Sequence, residues 1–248
     1  MIKRILIIIG LCVLAGYLIF AVFFFQSKPK DAICSNFKIQ TADSITLRFI
    51  NVAELEREID AKRLNPYGKQ VKEINTDKIE KALLENKIIR SAEAYISNNG
   101  DVIVKVRVKE PVIRIMSDNG ENFYIDKDTT VMPLSSHFTA YLPIATGNIN
   151  TQFARKQLYP FAMYLRDNDF WNSQIEQIQV LPNHEIILIP RVGNQKILLG
   201  KLDGFEDKLR RLMEFYQKAL NKIGWNNYAV INLKYSKQIV CSKEKISE

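Results

Sequence analysis

Histidine and cysteine are scarce in this chain of 248 residues, which has two of the former and three of the latter. So few ligating and pairing side chains exclude a small disulfide-framework protein. With no C-x-x-C and no H-E-x-x-H, zinc chemistry lacks its usual carriers. There is no G-x-x-x-x-G-K-[ST] loop and no G-x-G-x-x-G turn, so the common phosphate cradles of nucleotide enzymes are missing too. No internal repeat or low-complexity tract is present. A composition of 47% apolar and 25% charged residues excludes a disordered or collagen-like chain and leaves room for one or two packed domains.

Acidic residues number 27 against 35 lysines and arginines, a net charge of +8. That balance favours anionic partners or membrane surfaces. Residues 5–25, ILIIIGLCVLAGYLIFAVFFF, carry no formal charge. At a helical rise of about 1.5 Å per residue they reach across a ~30 Å hydrocarbon core, so a transmembrane helix is expected. A cleaved signal peptide has a shorter apolar core and ends in a small-x-small site. Here Gln26-Ser27-Lys28-Pro29-Lys30 follows directly, which favours an uncleaved anchor. Neither Ile9-Gly10-Leu11 before Cys12 nor Asp31-Ala32-Ile33 before Cys34 has the small-residue approach of a lipoprotein. Lys3 and Arg4 on one side match Lys28 and Lys30 on the other, so charge alone does not orient the anchor. With Cys12 in the membrane, Cys34 and Cys241 are either one disulfide or two separate thiols.

A polar linker, residues 26–32, leads into a module over residues 33–110. Residues 33–40 read as a strand. Helical spacing follows at Val52, Leu55 and Ile59 and stops at Asn65-Pro66-Tyr67-Gly68. Asn75 or Thr76 caps a second helix whose face holds Ile79, Leu83 and Leu84. Two strands, 88–97 and 101–109, meet at the hairpin signal Asn98-Asn99-Gly100. Val102, Val104, Val106 and Val108 form the core side of the second. Pro111 marks a boundary, and residues 111–242 are richer in strands: 112–116, 123–126, 175–181, 185–190, 196–199 and 228–235. Helices over 152–166 and 204–223 interrupt them, and residues 243–248 form a tail. The fold class expected is α+β: an N-terminal transmembrane helix, a β-α-α-β-β module, then a mostly antiparallel β domain with packed helices.

The search for chemistry yields little. His137 and His184 read as solvent-facing loop residues without a G-x-S-x-G elbow. Asp126 and Asp128 have a turn role or, less simply, ligate a hard cation. Ser35-Asn36-Phe37-Lys38 and Ser117-Asp118-Asn119 match two motifs of penicillin-binding enzymes, but Lys222-Ile223-Gly224 lacks the hydroxyl of the third. In that mechanism serine and lysine share a helical face, whereas Ser35 falls in an expected strand. The expectation is therefore a protein without catalytic, cofactor or metal sites. Nucleic-acid binding is disfavoured by the anchor and by the absence of a binding module. The basic run Lys208-Leu209-Arg210-Arg211 reads as a solvated helix face or a contact for acidic partners.

The order of parts resembles the bacterial cell-division family FtsQ/DivIB. The likeness is carried by Val106-Arg107-Val108-Lys109-Glu110-Pro111-Val112-Ile113-Arg114, Phe123-Tyr124-Ile125-Asp126 with Met132-Pro133-Leu134-Ser135, Leu199-Gly200 ahead of Lys208-Leu209, and Ile231-Asn232-Leu233-Lys234-Tyr235. Lys109-Glu110 stands where that family more often has Gln-Arg. The resemblance implies that residues 33–110 are a POTRA domain and residues 111–242 a β domain. It implies tail residues 1–4 in the cytoplasm, the rest beyond the inner membrane, and a place at the division septum. It further implies a non-catalytic scaffold that holds FtsB/FtsL-like bitopic proteins through the end of the β domain and other divisome membrane proteins through the POTRA domain. A last strand with an open edge offers backbone groups to a partner strand. Tyr228, Ile231, Leu233, Tyr235, Ser236, Gln238, Ile239 and Val240 are the partner-binding residues so expected. The alternative is an anchored envelope protein of another kind, one that handles POTRA-type clients or is a cell-wall hydrolase or transpeptidase.

Overall fold

A computed structural model describes residues 2–26, 32–41, 48–225 and 227–243. The expected linker lies largely outside the described residues, as do residues 244–248 of the expected tail. The first helix, α1, is Ile2–Gln26. Its described side chains are Arg4 and residues 9–21, nearly all exposed. Among the described residues no helix is long and apolar enough to cross a membrane; side chains of α1 are described continuously only over residues 9–21.

Two compact units follow from the packing, Met1–Arg107 and Val108–Glu248. The first holds β1 (Phe37–Thr41), α2 (Val52–Ala61), α3 (Thr76–Leu84), β2 (Ile89–Ile96) and, at its end, β3 (Val102–Val108). β1 starts four residues later than the sequence pattern implied. Residues 32–34 pair instead with the loop after α2: Cys34 N–H donates to Lys69 C=O at 2.9 Å, and Gly68 N–H donates to Cys34 C=O at 2.8 Å. Asn51 and Asn75 cap α2 and α3, their side chains accepting from the N–H groups of Ala53 and Lys78 at 3.0 Å, which satisfies donors that have no partner inside a helix. Leu55 and Ile59 of α2 and Ile79, Ala82 and Leu83 of α3 are buried. Leu84, expected on that face, is exposed, because it sits about 100° around the helix from Leu83.

The three strands lie in the order β1-β3-β2, with β1 parallel to β3. Gly100, at a φ of +87°, turns the hairpin between β2 and β3; a residue with a Cβ is strained there. Val102, Val104, Val106 and Val108 are all buried, while Lys105 and Arg107 point the other way into solvent. One face of the sheet is thus core and the other wet.

The second unit is built on a sheet of nine strands among the described residues. They are β4 (Pro111–Ser117), β5 (Asn122–Asp126), β6 (Val131–Met132), β7 (Ile144–Gly147), β8 (Ile175–Val180), β9 (Ile186–Pro190), β10 (Lys196–Gly200), β11 (Val230–Asn232) and β12 (Val240–Ser242), in the spatial order β12-β11-β10-β9-β8-β7-β4-β5-β6. β7 runs parallel to both neighbours and β10 parallel to β11; the other pairings are antiparallel. Five of these eight pairings are antiparallel, so the sheet is mostly antiparallel, as expected, with parallel pairs at β7 and β10. Helices accompany it, the longer ones being α4 (Tyr159–Arg166), which continues a wide π turn at Ala154–Leu158, α5 (Asp169–Gln174), and α6 (Phe205–Phe215), extended by a second π turn at Tyr216–Leu220. Phe161, Leu165, Trp171, Leu209, Leu212 and Tyr216 from these helices enter one core with Ile113, Ile115, Ile178, Leu188 and Ile197 from the strands.

β7 and β8 approach each other closely at one point. Gly147 has φ +105°, and a Cβ there would stand 2.1 Å from the Val180 carbonyl oxygen. Gly147→Ala is therefore expected to cost more than about 2 kcal/mol through steric conflict and an unfavourable backbone conformation. Urea unfolding of wild type and variant measures the loss, and Gly120→Ala, whose added methyl meets nothing within 4 Å, is expected to lose less.

Candidate functional site

One edge of the nine-stranded sheet is β6, the other being β12. Its neighbour β11 is filled on both sides, parallel to β10 with Ile231 opposite Ile197, and antiparallel to β12 with Ile231 opposite Cys241. The expectation of one last strand over residues 228–235 is therefore overturned. The chain leaves β11 at Asn232, reverses, and returns as β12. An antiparallel strand with one neighbour directs alternate N–H and C=O groups outward. Among the described residues no strand pairs with that outer side.

The reversal is fastened by α6. The Arg211 guanidinium donates through Nη1 to the carbonyls of Tyr235 at 2.6 Å and Gln238 at 3.4 Å, and through Nη2 to Leu233 at 3.3 Å. Its side chain is only 16% exposed, and Asp207 Oδ2 lies 3.5 Å from Nε, close enough to balance the charge. Arg210, by contrast, pairs in solvent with Asp207 and with Glu214. The basic run of α6 therefore splits into one solvated arginine and one internal fastener. Lys208 Nζ donates to the Lys201 carbonyl at 2.7 Å, and burial pulls its pKa down.

A second fastener joins the reversal to the turn before β9. Lys234 Nζ lies 2.7 Å from Glu185 Oε2, and the Lys234 N–H donates to Asn232 Oδ1 at 3.0 Å. The Lys234 hydrogen bond holds the Glu185 carboxyl below the usual glutamate range.

These ties decide which expected residues face outward. Tyr235 is 51% and Val240 42% exposed, and Ser236 and Gln238 are exposed on the turn between them. The fold thus brings these four together at one margin. Tyr228 and Ile239 are half-buried against the core. Ile231 and Leu233 are fully buried and point into the core rather than to a partner. Arg211 is the residue that sequence reasoning missed, and the one available signal was its place directly before the core residue Leu212.

The other candidates resolve into structural roles. Asp126 is 1% exposed and accepts from the N–H groups of Asp128 and Thr130 and from the Thr130 hydroxyl, a hairpin clasp. His184 is exposed, as expected of a loop, but its ring also stacks on Phe153 with centroids 4.6 Å apart. Ser35 Oγ donates to Asp101 at 3.3 Å, and Ser117 Oγ to the Ile149 carbonyl at 2.6 Å. Cys12, Cys34 and Cys241 are free thiols, and burial raises the pKa of Cys241.

Architecture and comparison together define the class. A model described as POTRA-like domain matches residues 32–107, the segment that forms the three-stranded module, and a β-rich unit follows it. A second model, described as FtsQ/DivIB, C-terminal related, matches residues 110–242. That span is more than half of the chain, and the chain belongs to this family. No curated protein matches the sequence. Membership places the chain among division-related proteins, a group that is generally non-catalytic and works through protein partners.

Arg211→Ala is expected to cost about 3 kcal/mol, because three carbonyls lose a charged donor at once. Hydrogen exchange should quicken across residues 230–242 and leave Tyr159–Arg166 unchanged. Acidification is expected to loosen the second fastener: the depressed Glu185 pKa means that its contribution is complete at neutral pH and is lost as the carboxyl is protonated. An acid step in the Lys234 amide shift, absent from Glu185→Gln, measures this.

Proposed function

We propose that this protein is a non-catalytic bitopic scaffold of the bacterial division septum. In this reading residues 5–25 cross the inner membrane, residues 1–4 lie in the cytoplasm, and both units lie beyond the membrane. The outer side of β12 holds FtsB/FtsL-type partners by strand addition, while Tyr235, Ser236, Gln238 and Val240 choose the partner through side-chain contacts. Other divisome membrane proteins meet the POTRA-like module.

The observation that carries this reading is the coincidence of family membership with an unpaired sheet margin at the C-terminal end of the matched region. An unpaired margin is a liability unless something covers or blunts it. Here it is flanked by an exposed tyrosine and an exposed valine. Ile231 and Leu233 support the margin from the core and are not themselves contacts.

Tyr235→Glu is expected to weaken capture of FtsB/FtsL-type proteins at least about tenfold, the effect of losing roughly 1.4 kcal/mol, with an unchanged melting temperature because Tyr235 is half exposed. Pull-down from membranes with wild-type and variant chain tests this, and equal capture at equal folding refutes the site. A fluorescent fusion at the N-terminus is expected to form a band at the constriction of dividing cells. An even membrane signal refutes the septal role.

A further inference from the structure

Three separate segments of the second unit converge on a cleft of about 320 Å³ that the reading above leaves unused. Tyr141 and Pro143 come from the stretch before β7, Asp169, Asn172 and Ser173 from α5, and Arg191 from the residue after β9. Tyr141 is 83% exposed, the most exposed of the large apolar and aromatic side chains among the described residues. Burial does not hold it in place. Its ring instead carries the Arg191 guanidinium, 4.4 Å from the centroid, a cation–π contact that fixes both groups. The Arg191 N–H donates to the Gln174 carbonyl at 2.8 Å, so the arginine backbone is tied to the end of α5.

The charges of this cleft do not neutralise each other. Asp169 and Arg191 line the same space, yet neither makes an ion pair among the described residues. Arg191 Nε is buried without a hydrogen-bond partner, a costly arrangement unless a ligand or water completes it. Ser173 Oγ donates to the Phe170 carbonyl at 2.8 Å, which leaves its lone pairs free to accept. A carboxylate and a guanidinium that line one cleft without pairing, together with a hydroxyl and an amide in the same lining, match a ligand that carries both charges itself.

We propose that this cleft binds a zwitterionic amino-acid or short-peptide end, its carboxylate on Arg191 and its ammonium on Asp169. Guanidinium recognises carboxylate as a two-pronged donor, and the Tyr141 face shields the pair from water. The volume suits a group of one or two residues. The proposal does not rest on the septal reading, since it uses neither β12 nor α1.

The test is saturation-transfer NMR on the full chain in uncharged detergent micelles. The probes are dialanine, N-acetyl-dialanine, which lacks the ammonium, and dialanine amide, which lacks the carboxylate, with dialanine in both configurations to read handedness. Dialanine is expected to bind at least about tenfold tighter than either blocked form. Arg191→Gln should erase the preference for a free carboxylate, and Asp169→Asn the preference for a free ammonium. Tyr141→Ala, at an exposed position, should weaken dialanine without changing the melting temperature, and keeps the test decisive if Arg191→Gln fails to fold. Equal binding of the three probes, preference for one blocked form, preferences unchanged in the variants, or no transfer at about 10 mM overturns the proposal.

Discussion

A β-sheet satisfies its backbone only strand by strand, and whatever lies last has half of its polar groups unmet. In the second unit this constraint orders much else. Seven inner strands have neighbours on both sides, and the unmet groups are displaced to β6, which is two residues long, and to β12, which is three. Shortness at both margins limits the exposed row. At β12 it also demands external support, because three residue pairs with β11 would not hold a strand in place by themselves. Arg211 supplies that support from a helix on the core side, and Lys234, in the reversal itself, adds to it by pairing with Glu185 in the turn before β9. The margin is therefore held by contacts that lie outside the strand.

Much of the architecture was legible in the sequence. Period-two valines marked β3, Asn-Gly marked the hairpin before it, helical spacing marked α2 and the cap at Asn75 marked α3, because each of these signals acts over a few residues. β7 was missed: Ile144–Gly147 is four residues with parallel neighbours on both sides, and the partners that define it are 30 or more residues away. β12 was missed for a related reason. The reversal at Tyr235-Ser236-Lys237-Gln238 has neither glycine nor proline to announce it, so no return strand was read after residue 235. Legibility of the site divided along the same line. Tyr235, Gln238 and Val240 were recognisable as polar or exposed residues beside a strand, whereas Ile231 and Leu233 were misplaced because the missing return strand changed which positions were internal. Arg211 was invisible since its acceptors lie 22 to 27 residues further on.

The excess of basic residues also takes on a different meaning. A net charge of +8 invites a search for an anionic partner, yet several of these cations are spent internally. Arg166 and Lys127 share Glu110 at the start of the β domain, Lys109 Nζ donates to the Thr130 hydroxyl at 2.8 Å, and Arg211 serves carbonyl oxygens. The guanidinium suits that last duty because its planar fork reaches several acceptors at once. A lysine at the same position would present a single point of attachment.

The return of the chain at the sheet margin has a mechanical consequence. Ser242 lies opposite Val230 and Val240 opposite Asn232, so tension drawn outward on the backbone at Lys243 acts first on one end of the ladder. The bonds then part in succession, like a zipper. A load spread along the flank of β12 acts differently: it pulls parallel to the strand and strains every rung together, while the guanidinium grip at the far end resists slippage. The same three residue pairs are thus weak against peeling and strong against shear.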